Sequence, residues 1–550
     1  MRVLSAESMR AVDRAAIEEL GIPSLVLMEN AALGVVEAIG RRFPGPRAAL
    51  VVCGPGNNGG DGLAVARHLV ARDWEVRILL VQGGRPLTPD AAIQLGICRR
   101  LEIPVSEIET EGAIEAAFAA GSGCDLAVDA LFGTGLTRPL AGLFAAVVAA
   151  LNELPLPVLA VDLPSGLSGS AADPLGPHVV AAVTVTFAAP KIPHVFAPAA
   201  AAVGEMVVAG LGLPGRLVEE AGEPEGEVHL LQGGDLAGLL PARQADSHKG
   251  DYGHVLVVAG STGKSGAAVL ACRGAVRAGA GLVTAGVPEP IVPLVDGGSV
   301  ESMTLPLPAL GPGGLAAAAL GPLLEALPGK TVVAVGPGLG TDPETAALIR
   351  GLVERCPLPL VLDADGLNAF AGEAASLAGR RAETVLTPHP GELARLLGIS
   401  TAEVQKDRLG AARRAARETQ AIVVLKGHRT LVASGEMVFV NPTGNPGMAT
   451  GGSGDVLLGI LAGLVGQGLD ALDAALLAVY LHGLAGDLAA HKRGVMGLAA
   501  SDLVEELPRA VALLAQEAGR VAGEGFGDGG EAPSALRQGP ASGSWPGGPA

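Results

Sequence analysis

Four aspartates stand where a carboxylate could move a proton. Asp129 leaves the apolar run CDLAVDAL, and Asp162 leaves LPVLAVDL. Asp61 and Asp455 sit in glycine-rich turns ahead of helical runs. Such an acid can cap a helix, or act as acid or base if several polar strand ends open on one crevice. The turn around Asp61, GPGNNGGDG at 54–62, lies between AALVVC and LAVARHLVAR. Glycines there let backbone amides approach a phosphate. A bare phosphate cradle needs neither Asn57, Asn58 nor Asp61. Gly54, Gly56 and Gly59 satisfy GxGxxG, but a dinucleotide fold also wants an acid ending the next strand, to hold a ribose. That strand, EVRILLV, ends in QGG.

The neighbouring strand ends supply a fuller set. Asp129 is followed by FGTGLTRP, residues 132–139, and Asp162 by PSG, 164–166. Asn58, Asp129 and Ser165 can converge as oxygen ligands for a monovalent cation. Thr134, Thr137 and Arg138, with free loop amides, can hold phosphates. Asp61 has a second reading, as an acid capping the first turn of its helix.

In the second half, HVLVVAGSTGKSGAA imitates a P-loop, but GxxxxGK[ST] spacing would put a glycine where the chain has Val258. GGSGD around Ser453 likewise fails GxSxG, because Asp455 stands at the last glycine. The run NPTGNPGMATGGSGD, 441–455, precedes a helical segment. Its glycines can offer amides and a helix N-terminus to a transferring phosphoryl group, with Asp455 near the attacking hydroxyl. His389, in TPHPGE, reads equally well as a loop histidine.

These residues must be positioned by a large α/β chain. At 550 residues the chain exceeds one core, so two domains are expected. Apolar residues make up 49% but aromatics only 2%, so Ala, Val and Leu must build the core. A formal charge of −18 argues against nucleic acid, which needs a basic face. Cys53, Cys98, Cys124, Cys272 and Cys356 show no zinc or disulfide spacing, as in a reducing compartment. No signal segment or long unpunctuated apolar run is visible, so a cytoplasmic chain with no membrane partner is expected.

Helical patterns run from Ser5 to Arg42, with Ser5 and Ser24 as caps. Apolar runs then alternate with amphipathic stretches, the pattern of mainly parallel sheets covered on both faces. The expected first domain is 1–212, with strands RAALVVC, WEVRILLV, CDLAVDAL, LPVLAVDL and AVTVTF. A turn-rich linker follows at 213–228. The second domain, 229–518, carries HVLVVAG, GLVTAGV, TVVAVGPG, PLVLDADG, ETVLTPH and AIVVLKG, then three helices. The Gly/Pro/Ser-rich tail at 519–550 is expected to be disordered.

The joint presence of GPGNNGGDG, DALFGTGLTRP and VDLPSG resembles the NAD(P)H-hydrate epimerase family over about residues 1–212. SHKGDYGHVLVVAG, GPGLG, LDADGLN, TPHPGE, LKGHRT and GGSGD, in that order, resemble the ADP- or ATP-dependent NAD(P)H-hydrate dehydratases of the ribokinase-like superfamily. The resemblance implies two three-layer α/β domains, Rossmann-like and then ribokinase-like. It implies epimerisation of R and S NAD(P)H hydrates in the first, and ADP-driven dehydration of the S form in the second, giving AMP and phosphate. By the same resemblance Asn57, Asn58, Gly59, Gly60 and Asp61 contact the hydrate, as do Gly133, Thr134, Gly135, Leu136, Thr137, Arg138 and Pro139. Asp162 contacts it and is the acid/base. Asn58, Asp129 and Ser165 match the family's potassium ligands. In the second domain Ala267, Gly338, His389 and Asp455 contact the hydrate, Asp455 as base. Lys426, Gly427, His428, Arg429, Thr430 and Gly454 contact the adenine nucleotide. Ser453 departs from the family's usual threonine.

The expected cofactors are K+ in the first domain and Mg2+ with ADP in the second. The expected partners are NADHX, NADPHX and ADP, in a homo-oligomer, with no nucleic acid. One rival is a vitamin or sugar kinase fused to a non-catalytic Rossmann-like scaffold. A stable phosphorylated product would favour it.

Overall fold

The computed structural model describes residues 1–524, apart from 46, 120, 122, 224, 225 and 312. The tail assigned to 519–550 therefore falls mostly outside the described residues. Its first part belongs to a helix, Ala500–Glu524, which runs past the expected end at 518.

The first half builds a seven-stranded, wholly parallel sheet. In spatial order it comprises Val105–Ile108, Glu75–Val81, Ala48–Cys53, Leu126–Ala130, Val158–Val161, Val183–Phe187 and Glu205–Ala209. Alternate residues of one strand enter different cores. Val51 and Cys53 pack on one side, Leu50 and Val52 on the other. That is why these strands read as unbroken apolar runs: both faces are covered by helices. The edge strands Val105–Ile108 and Glu205–Ala209 were absent from the expected set. Both are partly exposed, so their apolar signal is weak.

Two helices precede the sheet. Ser5 caps the first, Ala6–Arg14, accepting from the Ser8 amide at 3.1 Å. Ser24 does not cap the second. Pro23 takes that position ahead of Ser24–Arg42, and the Ser24 hydroxyl donates to Asp90 Oδ2 at 2.6 Å instead.

The second half builds an eleven-stranded sheet. Seven strands run parallel in the order Met303–Leu307, Leu282–Pro288, His254–Val258, Val332–Val335, Leu360–Leu362, Thr384–Leu386 and Ile422–Leu425. An antiparallel pair, Leu431–Ser434 and Met437–Val440, extends it, followed by Val228–Leu230. The last strand is Arg2–Val3, antiparallel to Val228–Leu230. The chain's first residues are thus hydrogen-bonded into the second sheet, not the first. Val3, Val195 and Phe196 also share a core with Val228, Leu230 and Val440. The two units meet over a continuous apolar contact.

Helices Ser453–Gly466 and Ala471–Arg493 are packed within the second core. Ala471–Arg493 is long and apolar enough to cross a bilayer, but 67% of its apolar window is buried inside the molecule.

Candidate active sites

The first site forms at the carboxyl ends of the parallel strands, where an open sheet binds its ligand. A cavity of about 630 Å3 is lined there by Asn57, Asn58, Asp61, Gly133, Thr134, Gly135, Leu136 and Asp162. The first helix adds Asp13, and the loop after Val183–Phe187 adds Lys191. Neither was singled out in the sequence. Gly59, Gly60, Thr137, Arg138 and Pro139 do not line this cavity. The glycines of the first turn serve packing. A Cβ on Gly59 would lie 1.9 Å from the Gly54 carbonyl oxygen, so the helix Asn57–Val70 could not approach its strand end. Asp61 lies beyond the first turn of that helix, which removes its capping role.

Asp162 is the hub. Its Oδ1 accepts from Lys191 Nζ at 2.8 Å and Thr186 Oγ1 at 3.2 Å, and its Oδ2 from the Thr134 amide at 3.2 Å. Burial presses the carboxyl upward, but the Lys191 ammonium outweighs it and holds Asp162 below the usual carboxylate range. Its backbone has φ of 65°, a costly left-handed conformation for a residue with a Cβ. His194 braces that backbone. Its Nε2 donates to the Asp162 carbonyl at 2.8 Å while Nδ1 accepts from the Lys191 amide at 2.8 Å. Burial pushes this imidazole down to about 4, so it is neutral.

The other carboxyls move oppositely. Burial, then the charges of Asp162, Asp13 and Asp90, raises Asp61 well above its ordinary value. Burial lifts Asp13 to about 6 against the pull of Lys191. Gly133 admits this arrangement, since a Cβ there would lie 2.7 Å from Asp162 Oδ2 and 3.1 Å from Asn58 Oδ1.

Behind the cavity, Asp129 is buried against Ser165. Oδ1 accepts from Ser165 Oγ at 2.7 Å and Oδ2 from the Ser165 amide at 2.8 Å. Burial raises Asp129 to about 6 despite these bonds. Asn58 lines the cavity itself, with its Nδ2 buried and unpartnered. The oxygens available there are those of the Asp129 carboxylate and the Ser165 hydroxyl, already bonded to each other, whereas the unpartnered Asn58 Nδ2 is a donor and calls for an acceptor.

The second site gathers at the start of helix Ser453–Gly466. Gly452 takes φ of 96°, which turns the chain into the helix. Lys426 Nζ donates to Asp363 Oδ1 at 2.5 Å and lies 3.7 Å from Glu392 Oε2. Burial disfavours this ammonium, but Asp363, Glu392 and Asp455 together raise it above its ordinary value. Burial, with the charge of Asp363, lifts Asp455 to about 7 against Lys426. A Cβ on Gly454 would lie 3.3 Å from Lys426 Nζ and 3.5 Å from Asp363 Oδ2, so this turn faces the cluster closely. The Asp363 carboxylate is buried at 1% exposure and engaged by the Lys426 ammonium.

His389 caps helix Pro390–Leu397, accepting from the Gly391 amide at 3.0 Å, while Glu392 accepts from the His389 amide at 2.7 Å. Gly338 and Ala267 are neighbours: a Cβ on the glycine would stand 3.2 Å from that of Ala267. Of the loop after Ile422–Leu425, Lys426 enters the acidic cluster, whereas Gly427, His428 and Arg429 face a different cavity, between the two units. Asp363 and Glu392 lay inside quoted motifs without a role. His482, also missed, donates from Nε2 to the Ser453 carbonyl at 2.9 Å.

Residues 255–509 match the NAD(P)H-hydrate dehydratase family, and 24–192 match the YjeF-related protein N-terminus. The bifunctional NAD(P)H-hydrate repair enzyme Nnr of Moorella thermoacetica is 46% identical over 531 residues, covering 96% of this chain and 100% of its own. The enzyme of that name from Escherichia coli K12 is 36% identical over 510 residues, covering 92% and 93%. Among solved structures, the ADP/ATP-dependent NAD(P)H-hydrate dehydratase of Bacillus subtilis, co-crystallised with ATP/Mg2+, aligns with 52% of this chain and 99% of its own at 33% identity and TM-score 0.47. With both units matched and relatives alike along nearly their whole length, the chain belongs to the bifunctional NAD(P)H-hydrate repair enzyme family.

Proposed function

We propose that the first unit epimerises the R and S hydrates of NADH and NADPH, and that the second dehydrates the S form using ADP. The observation that carries this reading is that Asp162 lines the strand-end cavity of the first unit, while Asp455 stands in the first turn of helix Ser453–Gly466 beside Lys426 and Asp363 in the second. Asp162 is held ionised by Lys191, and Asp455 is poised near neutrality.

In the first site an ionised Asp162 accepts a proton while Asp61, which burial and neighbouring carboxylates raise well above its ordinary value, can donate one. Environments that push two carboxyls apart make such a pair. The C6 hydroxyl of the hydrate lies beside a ring nitrogen, whose lone pair assists its departure or ring opening. Return to the other face exchanges the epimers. Asn58, Asp129 and Ser165 are the residues to hold potassium, which would supply positive charge beside the substrate.

In the second site Asp455 takes the proton of the C6 hydroxyl as its oxygen attacks the β-phosphorus of ADP. AMP leaves, and the amides opening helix Ser453–Gly466 receive the transferring group. Lys426, Gly427, His428, Arg429, Thr430 and Gly454 hold the nucleotide, and Ala267, Gly338 and His389 the hydrate. The ring nitrogen then expels phosphate, and loss of the C5 proton restores NAD(P)H. Mg2+ arriving with ADP would neutralise phosphate charge. Five buried free cysteines suit a reducing cytoplasm.

Mixed-epimer NADHX with and without ADP tests the reading. ADP should give complete recovery of NADH absorbance with free phosphate. Without it, only epimer exchange should occur. A stable phosphorylated product would support a kinase instead.

A further inference from the structure

Between the two units lies a second cavity, of about 620 Å3. Small-molecule sites span about 300–1,000 Å3. The second unit contributes Lys406, Arg408 and Arg429 to its wall, with Asp407 among them, and the first contributes Ser170, Asp173 and Glu7, with Glu223 beside them.

The cations are incompletely matched. Arg408 donates its Nη atoms to the Leu425, Lys426 and His428 carbonyls, but its Nε is buried without a partner. Arg429 Nε is likewise buried and unpartnered, on a backbone with φ of 54°. Among the described residues, the side chains of Arg429 and Lys406 make no ion pair or hydrogen bond. Burying guanidinium donors without acceptors is costly, and so is the left-handed backbone. The enclosed Nε atoms are out of a ligand's reach; what a molecule in the cavity can meet is the exposed Lys406 ammonium and the half-buried Arg429 guanidinium.

The opposite wall differs. Asp173 is an exposed carboxylate, an acceptor for amino and ribose hydroxyl groups, while the Ser170 hydroxyl accepts from the Ala6 amide at 3.0 Å and keeps its own proton to donate. A free phosphate would use the cations alone. A molecule with both an anionic end and donor groups uses both walls. The cavity also starts one residue beyond Lys426, and it includes Pro390, next to His389. Lys426, Asp363 and Asp455 do not line it themselves, so it lies one residue along the chain from the acidic cluster. Arginine planes also stack on aromatic bases, which suits the nucleoside part.

We propose that the nucleoside diphosphate is bound across this interdomain cavity, with the first unit supplying one wall of the second unit's nucleotide site. This rests on the reading that residues 426–430 hold the nucleotide. Nucleotide binding then clamps the two units together, which a free-standing dehydratase domain could not do.

Amide hydrogen exchange on the full chain tests this with ADP as the probe. At ADP about a hundredfold above its Kd, exchange governed by opening of the site can slow by up to about 100-fold. Exchange should slow by about tenfold or more at 427–430 and also at 169–174. Slowing at 427–430 alone overturns the inference and leaves the nucleotide loop standing. No change at either segment overturns both. Calorimetry on Asp173→Asn gives an independent reading, with the melting temperature of the nucleotide-free chain as the folding check. Loss of a charged hydrogen bond should raise the ADP Kd by about tenfold. An unchanged Kd in a folded variant overturns the inference.

Discussion

Lys191 Nζ and Asp162 Oδ1 stand 2.8 Å apart, with the lysine side chain only 1% exposed. The ammonium also donates to Thr186 Oγ1 at 2.9 Å and the Phe187 carbonyl at 3.1 Å, so it is fully engaged. It sets the charge of Asp162, the residue proposed as acid/base. Lys191→Met should leave a buried carboxylate without its cation, a change that typically costs about 3–5 kcal/mol of stability. Asp162 should then titrate higher. The epimerisation rate on separated epimers should need higher pH to reach its plateau, while ADP-dependent dehydration persists. An unshifted pH profile would remove Lys191 from the charge-setting role.

His194 gives a prediction about stability. Its imidazole sits near 4 in the folded chain against 6.5 ordinarily, because burial disfavours the charged form. Between those values the unfolded chain binds the extra proton, so stability is present above about pH 6.5 and is lost as pH falls toward about 4. His194→Gln removes this linkage. Near pH 5 its unfolding free energy should depend on pH less steeply than the parent's, by up to about 1.4 kcal/mol per unit. Denaturant melts at several pH values measure the slope. Identical slopes would mean the histidine is already protonated in the fold.

The strand-end aspartates could be read from sequence because a covered parallel strand is an apolar run, and the residue leaving it is visible. Asp129 and Asp162 both follow such runs. The lysine and histidine that serve Asp162 could not be found that way. AAPKIPHVF has no period of its own, and its arrangement depends on the left-handed turn at Asp162 and on packing against the second sheet. His482 is hidden for the opposite reason, lying in a helix buried on most sides. The short strand Arg2–Val3 escaped notice because its pairing partner is over two hundred residues away.

Potassium offers a third test, through Asp129. Its carboxyl is raised to about 6 by burial, and a bound cation would bring it back down. Asp129→Ala should weaken hydrate binding in the first unit and leave ADP-dependent dehydration intact. In the parent chain, replacing potassium with a bulky organic cation should raise the KM of epimerisation. Equal KM in both salts would dismiss the ion, and loss of both activities on Asp129→Ala would show a structural role.

Asp455 allows the sharpest test of the second site. Asp455→Asn keeps the shape and hydrogen bonding of the turn and removes the base. A positioned general base contributes about 10²–10⁴ in rate, so dehydration should fall by that factor. ADP affinity should change little, because the nucleotide is assigned to residues 426–430 and Gly454. The parent's pH dependence supplies the sign. With the carboxyl lifted to about 7 by burial and by Asp363, it is protonated and inactive as a base below that value. The single-turnover rate of dehydration should therefore climb as pH rises from 6 to 8. The residual rate of Asp455→Asn should be flat over the same interval. A variant that dehydrates S-NADHX at the parent rate, with the parent's pH profile, would leave Asp455 only the part of shaping its turn.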